Sequence, residues 1–207
     1  FLRACGVAEV STPAELIETL KVFHVCGPLI GRRLCSLSCS GGEAGLVADL
    51  AAPFDLNFPP PSDAQRARLG EILGPIVTIA NPLDYHTFIW GDGPRTTDVF
   101  TTMLAGYDAG IFIIDPPRPD RCDPSSFRPA LDAIVAAAAA TGKPAFAVGS
   151  LPENFDEALA ISIMGGNVVP MMGLETALGA IKAAQTGPNR GGWRPWPVAE
   201  NRKLRMR

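Results

Sequence analysis

The sequence lacks the features that would mark a membrane, secreted or zinc-binding protein. Its longest stretch without a charged residue, 158–174, is interrupted by glycines and by Pro170, so no transmembrane helix fits. The first residue is Phe1, and no signal-peptide pattern is present, so we expect a piece of a longer chain that lacks part of its active site. The five cysteines form no CxxC pair and no cluster with the two histidines. This excludes zinc and favours reduced thiols in the cytoplasm.

Aromatic residues make up only 7 % of the chain and charged residues 19 %, whereas hydrophobic residues make up 47 %. That composition excludes disorder as the main state, and 207 residues suit one large domain. The net charge of −3 is unevenly spread. Residues 1–185 carry 12 Lys+Arg and 20 Asp+Glu, whereas residues 186–207 carry six Lys+Arg and one Glu. An acidic body of −8 with a tail of +5 excludes a nucleic-acid-binding domain, which would need a basic face.

Short apolar runs alternate with helical segments about five times along the chain. The strands are predicted at 34–38, 76–79, 111–114, 145–148 and 168–169. This alternation predicts an α/β fold, namely a flavodoxin-like, doubly wound, mainly parallel five-stranded sheet with helices on both faces and strand order 2-1-3-4-5. We divide the chain into a helical lead-in at 1–26, the flavodoxin-like domain at 27–186 and a Pro/Gly/Arg-rich tail or linker at 187–207.

A Ser-Gly-Gly turn follows the first predicted strand and opens a helix. Free N–H groups point out of a helix N-terminus, where the helix dipole adds partial positive charge and glycines let an anion approach the backbone. Ser40, Gly41, Gly42 and Glu43 therefore form a candidate phosphate-binding site, although the Glu43 charge would compete with an anion unless it points away. The alternative is a plain strand-to-helix turn in which Ser40 is the N-cap.

The segment 81–92 is unusually rich in chemistry for a connecting loop, with two carboxylates, a histidine, a tyrosine and a tryptophan. In doubly wound folds, ligands bind beyond the carboxyl ends of the strands. Asn81, Asp84 and His86 are therefore predicted to line the same cleft as the Ser-Gly-Gly turn. An aromatic plug over the sheet end is the alternative for the loop, and a hydrogen-bonded structural role is the alternative for His86.

Other catalytic patterns fail. The segment 38–42 comes close to the hydrolase elbow GxSxG, but neither His24 nor His86 follows the last strands, as that mechanism requires. The turn is neither the GxGxxG fingerprint nor a P-loop. Cys35 and Cys39 are predicted to be packing residues. No residue of this chain is predicted to be catalytic, and none to hold a metal.

The two segments, in this order and at this separation, resemble the nucleoside-diphosphate-forming acyl-CoA synthetases, relatives of succinyl-CoA synthetase and of ADP-forming acetyl-CoA synthetase. That family commonly has Ser-Gly-Gly with an Asp in the following helix, and here Ser40-Gly41-Gly42 precede Asp49. It also has Asn-Pro-x-Asp after the next strand, which Asn81-Pro82-Leu83-Asp84 matches. The opening residues 1–16 add a Gly-Val and a Ser with Glu-Leu, so the resemblance spans about 1–184.

The resemblance implies that 27–186 is a CoA-ligase domain, the second of two flavodoxin-like domains whose helix N-termini face a phosphohistidine. The whole enzyme would use CoA, ATP and Mg, with CoA-binding and ATP-grasp domains on the same chain or on a partner subunit. This domain alone would bind no cofactor. The family's histidine would lie upstream of Phe1, so the isolated chain is expected to be inactive. The alternative function is a non-catalytic flavodoxin-like module that binds an anion or a protein. A redox flavoprotein ranks last. Whether the chain forms a homo-oligomer stays open.

Overall fold

The computed structural model describes Phe1, Cys5 and residues 7–186, so the predicted tail at 187–207 lies outside the described residues. Five parallel strands form one sheet in the order β2-β1-β3-β4-β5, which confirms the predicted flavodoxin-like topology. The strands are β1 (Leu34–Ser38), β2 (Leu83–Asp84), β3 (Ala109–Ile113), β4 (Ala145–Gly149) and β5 (Val168–Met172). The helices are α1 (Pro13–Val25), α2 (Gly41–Ala51), α3 (Asp63–Leu73), α4 (Gly93–Ala105), α5 (Arg128–Thr141), α6 (Glu157–Gly165) and α7 (Leu174–Thr186).

The helices form two layers because the strands are apolar on both faces. β1, β3 and β4 are buried at every position, as expected for a parallel sheet covered on both sides. One face packs against α1, α2 and α7, and the opposite face against α3, α4, α5 and α6. The predicted lead-in ends at residue 26, one residue beyond α1, and Val22 of that helix lies within the core.

Two helices begin at side-chain capping motifs. The Thr12 side chain accepts a hydrogen bond from the Glu15 N–H, with Pro13 in the first turn of α1. Ser62 and Gln65 form a reciprocal capping box at the start of α3. Both motifs satisfy N–H groups that a helix leaves without internal partners.

The predicted position of the second strand is wrong. Residues 76–79 form no strand, and Ile76 is 79 % exposed. The strand is instead Leu83–Asp84, which pairs with Leu37 and Ser38 of β1. Sequence pattern favoured the longer apolar run, whereas a two-residue strand that ends in a carboxylate has no hydrophobic signal of its own.

The edge strand β5 contains Pro170, which suits an edge because proline cannot donate to a ladder. The side of β5 that does not pair with β4 is contacted by α1. From this helix, Lys21 Nζ donates to the Pro170 carbonyl at 2.6 Å. Lys21 also lies 2.6 Å from Oε2 of the buried Glu18, in an ion pair rather than a well-aligned hydrogen bond. A charged pair on α1 thus occupies the unpaired edge of β5, where another strand could otherwise pair.

Candidate functional site

The candidate site lies at the carboxyl ends of β1, β2 and β3, where the strand order reverses. β1 runs directly into the turn that begins α2, and the Ser38 hydroxyl donates to the Ser40 carbonyl at 3.0 Å. Ser40 occupies the N-cap position of α2, but its side chain makes no capping hydrogen bond. The first intrahelical bond runs from the Ala44 N–H to the Ser40 carbonyl. The N–H groups of the first turn therefore receive no side-chain cap from Ser40.

Asp84 lies beside this helix start. It is paired in register with Ser38, the last residue of β1. A Cβ built on Gly41 would lie 3.4 Å from Asp84 Oδ2, so the carboxylate is immediately next to the glycine turn. The other carboxylate oxygen accepts a hydrogen bond from the His86 N–H at 2.9 Å. The structure thus brings together the predicted residues Gly41 and Asp84.

Glu43, in the first turn of α2, faces the strand ends. Burial raises the pKa of its carboxyl to about 7, and the negative charges of Asp115 and Asp84 add to the effect. Its Oε2 atom is buried and makes no hydrogen bond within the described part of the chain. Asp115, two residues beyond the end of β3, accepts a hydrogen bond from the Ser150 N–H at 2.7 Å. Three carboxylates from three elements therefore surround the start of α2.

Tyr85 directly follows Asp84 and is 1 % exposed. Its ring packs edge-on against Phe100, with 5.2 Å between ring centroids. Its hydroxyl lies beside the Cys39 thiol, and within the described part of the chain it makes no well-aligned hydrogen bond. Burial, then the neighbouring Cys39 and the carboxylates of Glu43 and Asp84, raise the pKa of the phenol. The buried Tyr85 hydroxyl is thus close enough to Glu43 and Asp84 for their charges to affect its pKa.

Asn81 is directed to the backbone of β1 instead of the helix start. Its side-chain oxygen accepts from the Ser36 N–H at 3.0 Å, and its side-chain nitrogen donates to the carbonyls of Leu34 at 2.8 Å and Pro59 at 2.9 Å. The two contacts with β1 lie within its first three residues and not at its carboxyl end. The Asn81 amide therefore bonds the edge of β1 at Leu34 and Ser36, ahead of Leu37 and Ser38, where β2 pairs with β1.

His86 is exposed and has a left-handed backbone, with φ 68° and ψ 154°. Its Nδ1 accepts a hydrogen bond from the Thr87 N–H, and its ring lies 5.3 Å from that of Phe88. Because Nδ1 is an acceptor, the neutral ring carries its proton on Nε2. His86 thus lies two residues after Asp84, with its side chain exposed.

Tyr85, Cys39 and Asp115 were not among the predicted site residues. The sequence signal for Asp115 was available, since it is the first polar residue after the apolar strand β3. Cys39 follows β1 and is half-buried, whereas Cys35 is fully buried within β1 as predicted. Nothing in the sequence distinguishes a buried Tyr85 from an exposed one, because its burial depends on Phe100 in α4.

The raised pKa of Glu43 predicts a pH-dependent stability. The carboxyl has an ordinary value of 4.5 and a folded value of about 7, so the folded protein binds this proton more tightly than the unfolded chain does. The resulting stability is complete below 4.5 and is lost as the pH rises through 7. We expect Glu43→Gln to exceed the parent chain in unfolding free energy by on the order of 1 kcal/mol at about pH 8, allowing for solvent screening.

At about pH 4 the two proteins should be equally stable in urea unfolding. Asp49→Asn is the matched control, because it removes one negative charge from an exposed position of the same helix. If Asp49→Asn reproduces the gain at pH 8, net charge rather than the buried environment of Glu43 is the cause.

Within the described part of the chain, no group of three or more histidine, cysteine, aspartate or glutamate side chains is arranged to hold a metal ion. Nor is any described helix long and apolar enough to cross a membrane. The site thus consists of an uncapped helix start, three carboxylates and a buried hydroxyl.

The fold and the site define a doubly wound α/β domain with an open helix N-terminus at its switch point. No model of a protein family matches the chain, and no curated protein matches it in sequence. Solved structures do match. One is the apo form of dinucleotide forming acetyl-coenzyme A synthetase 1 from Ca. Korarchaeum cryptofilum, with a TM-score of 0.72 and 16 % identity over 89 % of this chain and 40 % of that one.

The same synthetase in complex with phosphate and ADP gives a TM-score of 0.72 and 16 % identity, covering 89 % of this chain and 39 % of that chain. The protein PH0766 from Pyrococcus horikoshii OT3 gives a TM-score of 0.73 and 18 % identity, covering 89 % of this chain and 42 % of that chain. At these identities the likeness establishes a shared fold, and it agrees with the resemblance found in the sequence motifs. The chain spans about two fifths of the length of these proteins.

Proposed function

We propose that this chain is the ligase domain of an NDP-forming acyl-CoA synthetase and supplies the N-terminus of α2 to a phosphoryl site. The enzyme would convert a carboxylate, CoA and a nucleoside triphosphate into acyl-CoA, nucleoside diphosphate and phosphate through a phosphohistidine. The observation that carries the proposal is the start of α2, which has two glycines and no side-chain cap and lies at the switch point. The shared fold with an acetyl-coenzyme A synthetase supports it.

The other parts of the reaction belong to other domains in this proposal. The CoA-binding and ATP-grasp domains, on the same chain or a partner subunit, would hold CoA and ATP with Mg. The phosphohistidine would also come from outside the chain, because neither histidine lies at the start of α2. His24 is in the last turn of α1, and His86 uses Nδ1 to accept from its own loop. The role proposed for this chain is therefore electrostatic, through backbone N–H groups that meet a phosphoryl oxygen.

Phosphate binding to the isolated chain should be weak but measurable. A hydrogen bond to a charged group contributes about 1.5–3 kcal/mol, and an exposed helix end adds about 0.3–1 kcal/mol. Two N–H contacts at the low end of these ranges give a Kd of about 1 mM. We expect inorganic phosphate to shift the amide NMR signals of residues 41–44, and Gly42→Val to reduce the shifts by obstructing the approach.

Gly45→Val is the matched control for this titration. A Cβ at position 45 meets no atom within 4 Å, and a Cβ at position 42 meets only Ser40 Oγ at 3.4 Å, so both variants should fold. Both also place the same β-branched residue in α2, which equalises the loss of helix propensity. Equal shifts in the parent chain and the Gly42→Val variant, or no shifts in either, would contradict the proposal.

A further inference from the structure

The outer face of α1 is apolar, whereas its inner face carries a charge. Glu18 and Val22 are buried where the helix packs against β5 and α7. Leu16, Ile17 and Leu20 face outward and are between 47 % and 59 % exposed. A surface helix normally shows the reverse pattern, with apolar residues inward and charged residues outward. An exposed apolar stripe of this kind marks a surface that takes part in an interaction.

A groove of about 340 Å³ lies along this outer face, between α1 and the segment that precedes it. Val7 and Val10 line it from the preceding segment. Leu16, Leu20 and Phe23 line it from α1, at spacings of four and three residues that place them on one side of the helix. A groove with this lining suits aromatic or aliphatic side chains.

A second cavity, of about 410 Å³, lies between α1 and α7 and is acidic. Glu9, Glu15 and Asp55 line it, together with Lys182 and Ala183 of α7. Three carboxylates and one lysine give it a negative charge. In the chain, the two glutamates directly adjoin residues of the apolar groove. An occupant that suits both surfaces therefore combines aromatic side chains with cationic ones.

The tail at 187–207, outside the described residues, has this composition. It contains Trp193 and Trp196, and residues 186–207 carry six Lys+Arg and one Glu. It follows α7, which packs alongside α1 and ends three residues after Ala183 of the acidic cavity. Residues 187–193 can span up to about 25 Å, whereas the whole of α1 is about 20 Å long. The tryptophans can therefore reach the apolar groove from the end of α7.

We propose that the tail binds to α1 of its own chain, with Trp193 and Trp196 in the apolar groove and arginines of the tail beside the carboxylates of Glu9 and Glu15. Tryptophan combines a large apolar surface with few rotatable bonds, so two of them supply most of the contact. The covalent connection raises the local concentration of the tail at the groove. This inference is independent of the proposed function, because it does not involve the start of α2.

The test is NMR spectroscopy of the full chain, with the indole N–H signals of its three tryptophans assigned. We expect nuclear Overhauser effects between the indole protons of the two tail tryptophans and the methyl groups of Leu16 and Leu20. Trp90, whose ring packs edge-on against Phe127, reports that the domain is folded. If those Overhauser effects are missing and the tail indole signals coincide with those of a synthetic peptide of residues 187–207, the proposal is wrong.

Leu20→Ser tests the groove. Leu20 is about half exposed, so the variant should fold. We expect the ratio of bound to free tail to fall by about tenfold, which moves the tail indole signals toward their positions in the peptide. Ile161→Ser is the matched control, because Ile161 is similarly exposed but lies on α6 in the opposite helix layer. Equal movement of the signals in both variants would exclude the groove on α1.

Arg194→Gln tests the charge, with Arg207→Gln at the end of the sequence as its control. At low ionic strength the first should lower the bound-to-free ratio by about two- to threefold and the second by less. Equal effects would remove the local arginine contact from the proposal.

The dependence on protein concentration identifies the occupant of the groove. A contact within one chain is independent of concentration, so the tail indole signals and their Overhauser effects should not change on dilution. Methyl signals of Leu16 and Leu20 that change on dilution, together with a doubled mass in sedimentation, would show that a second copy covers the groove and would overturn the proposal.

Discussion

Asn81→Ala is expected to lower the free energy of unfolding by about 3 kcal/mol. The Asn81 amide satisfies the Ser36 N–H and the carbonyls of Leu34 and Pro59, at distances of 3.0, 2.8 and 2.9 Å. Alanine leaves the Ser36 N–H and the Leu34 carbonyl without that partner, whereas the Pro59 carbonyl still accepts from the Tyr107 hydroxyl at 2.8 Å. Each unsatisfied buried group costs about 1–3 kcal/mol. The measurement is the urea midpoint, with an unchanged slope indicating that the compactness of the two states is preserved.

Asn57→Ala is the control for this substitution, since Asn57 is exposed and bridges to Arg33 through its backbone. It should change the unfolding free energy by less than about 0.5 kcal/mol. The phosphate-induced shifts of residues 41–44 should survive in Asn81→Ala, because the amide is bound to the first half of β1. If the variant kept its stability but lost the phosphate response, Asn81 would line the cleft, as the sequence predicted.

The contrast between Asn81 and Gly41 shows what the sequence could supply. A strand followed by Ser-Gly-Gly and a helix is a local pattern, so the helix start at Ser40–Gly42 was predictable from residues adjacent in the chain. The β1 partners of Asn81, Ser36 and Leu34, are 45 and 47 residues away in the sequence. Their approach depends on where the chain crosses β1, which no local pattern specifies.

The same distinction explains the strands and the acidic character of the site. β1, β3 and β4 are buried on both faces and were predicted, whereas β2 is fixed by pairing with Leu37 and Ser38. The sequence indicated that the Glu43 charge would oppose an anion. It did not indicate that Asp84 and Asp115 would lie close enough to Glu43 to help raise the pKa of its carboxyl, because those two residues follow different strands.

Lys21→Met is expected to destabilise the protein by about 3 kcal/mol at pH 7. The substitution leaves Glu18, which is 6 % exposed, without the cation that lies 2.6 Å from it, and breaking a buried pair on one side costs about 3–5 kcal/mol. It also removes the hydrogen bond to the Pro170 carbonyl on the edge of β5. Lys182→Met is the matched control, because the partner of Lys182, Asp55, is 91 % exposed; it should cost less than about 1 kcal/mol.

The pH dependence of the Lys21→Met variant identifies the cause of its instability. Burial already raises the pKa of Glu18 above 4.5, and the attraction of Lys21 opposes that rise, so loss of the lysine raises the pKa further. The variant should therefore approach the parent chain in stability at about pH 4, where Glu18 is protonated, and fall behind as the pH rises through the folded pKa. Glu18→Gln combined with Lys21→Met should recover most of the loss at pH 7. A deficit that is the same at pH 4 and pH 7, and that the double variant retains, would assign the cost to lost packing of the lysine stem and not to an uncompensated buried charge.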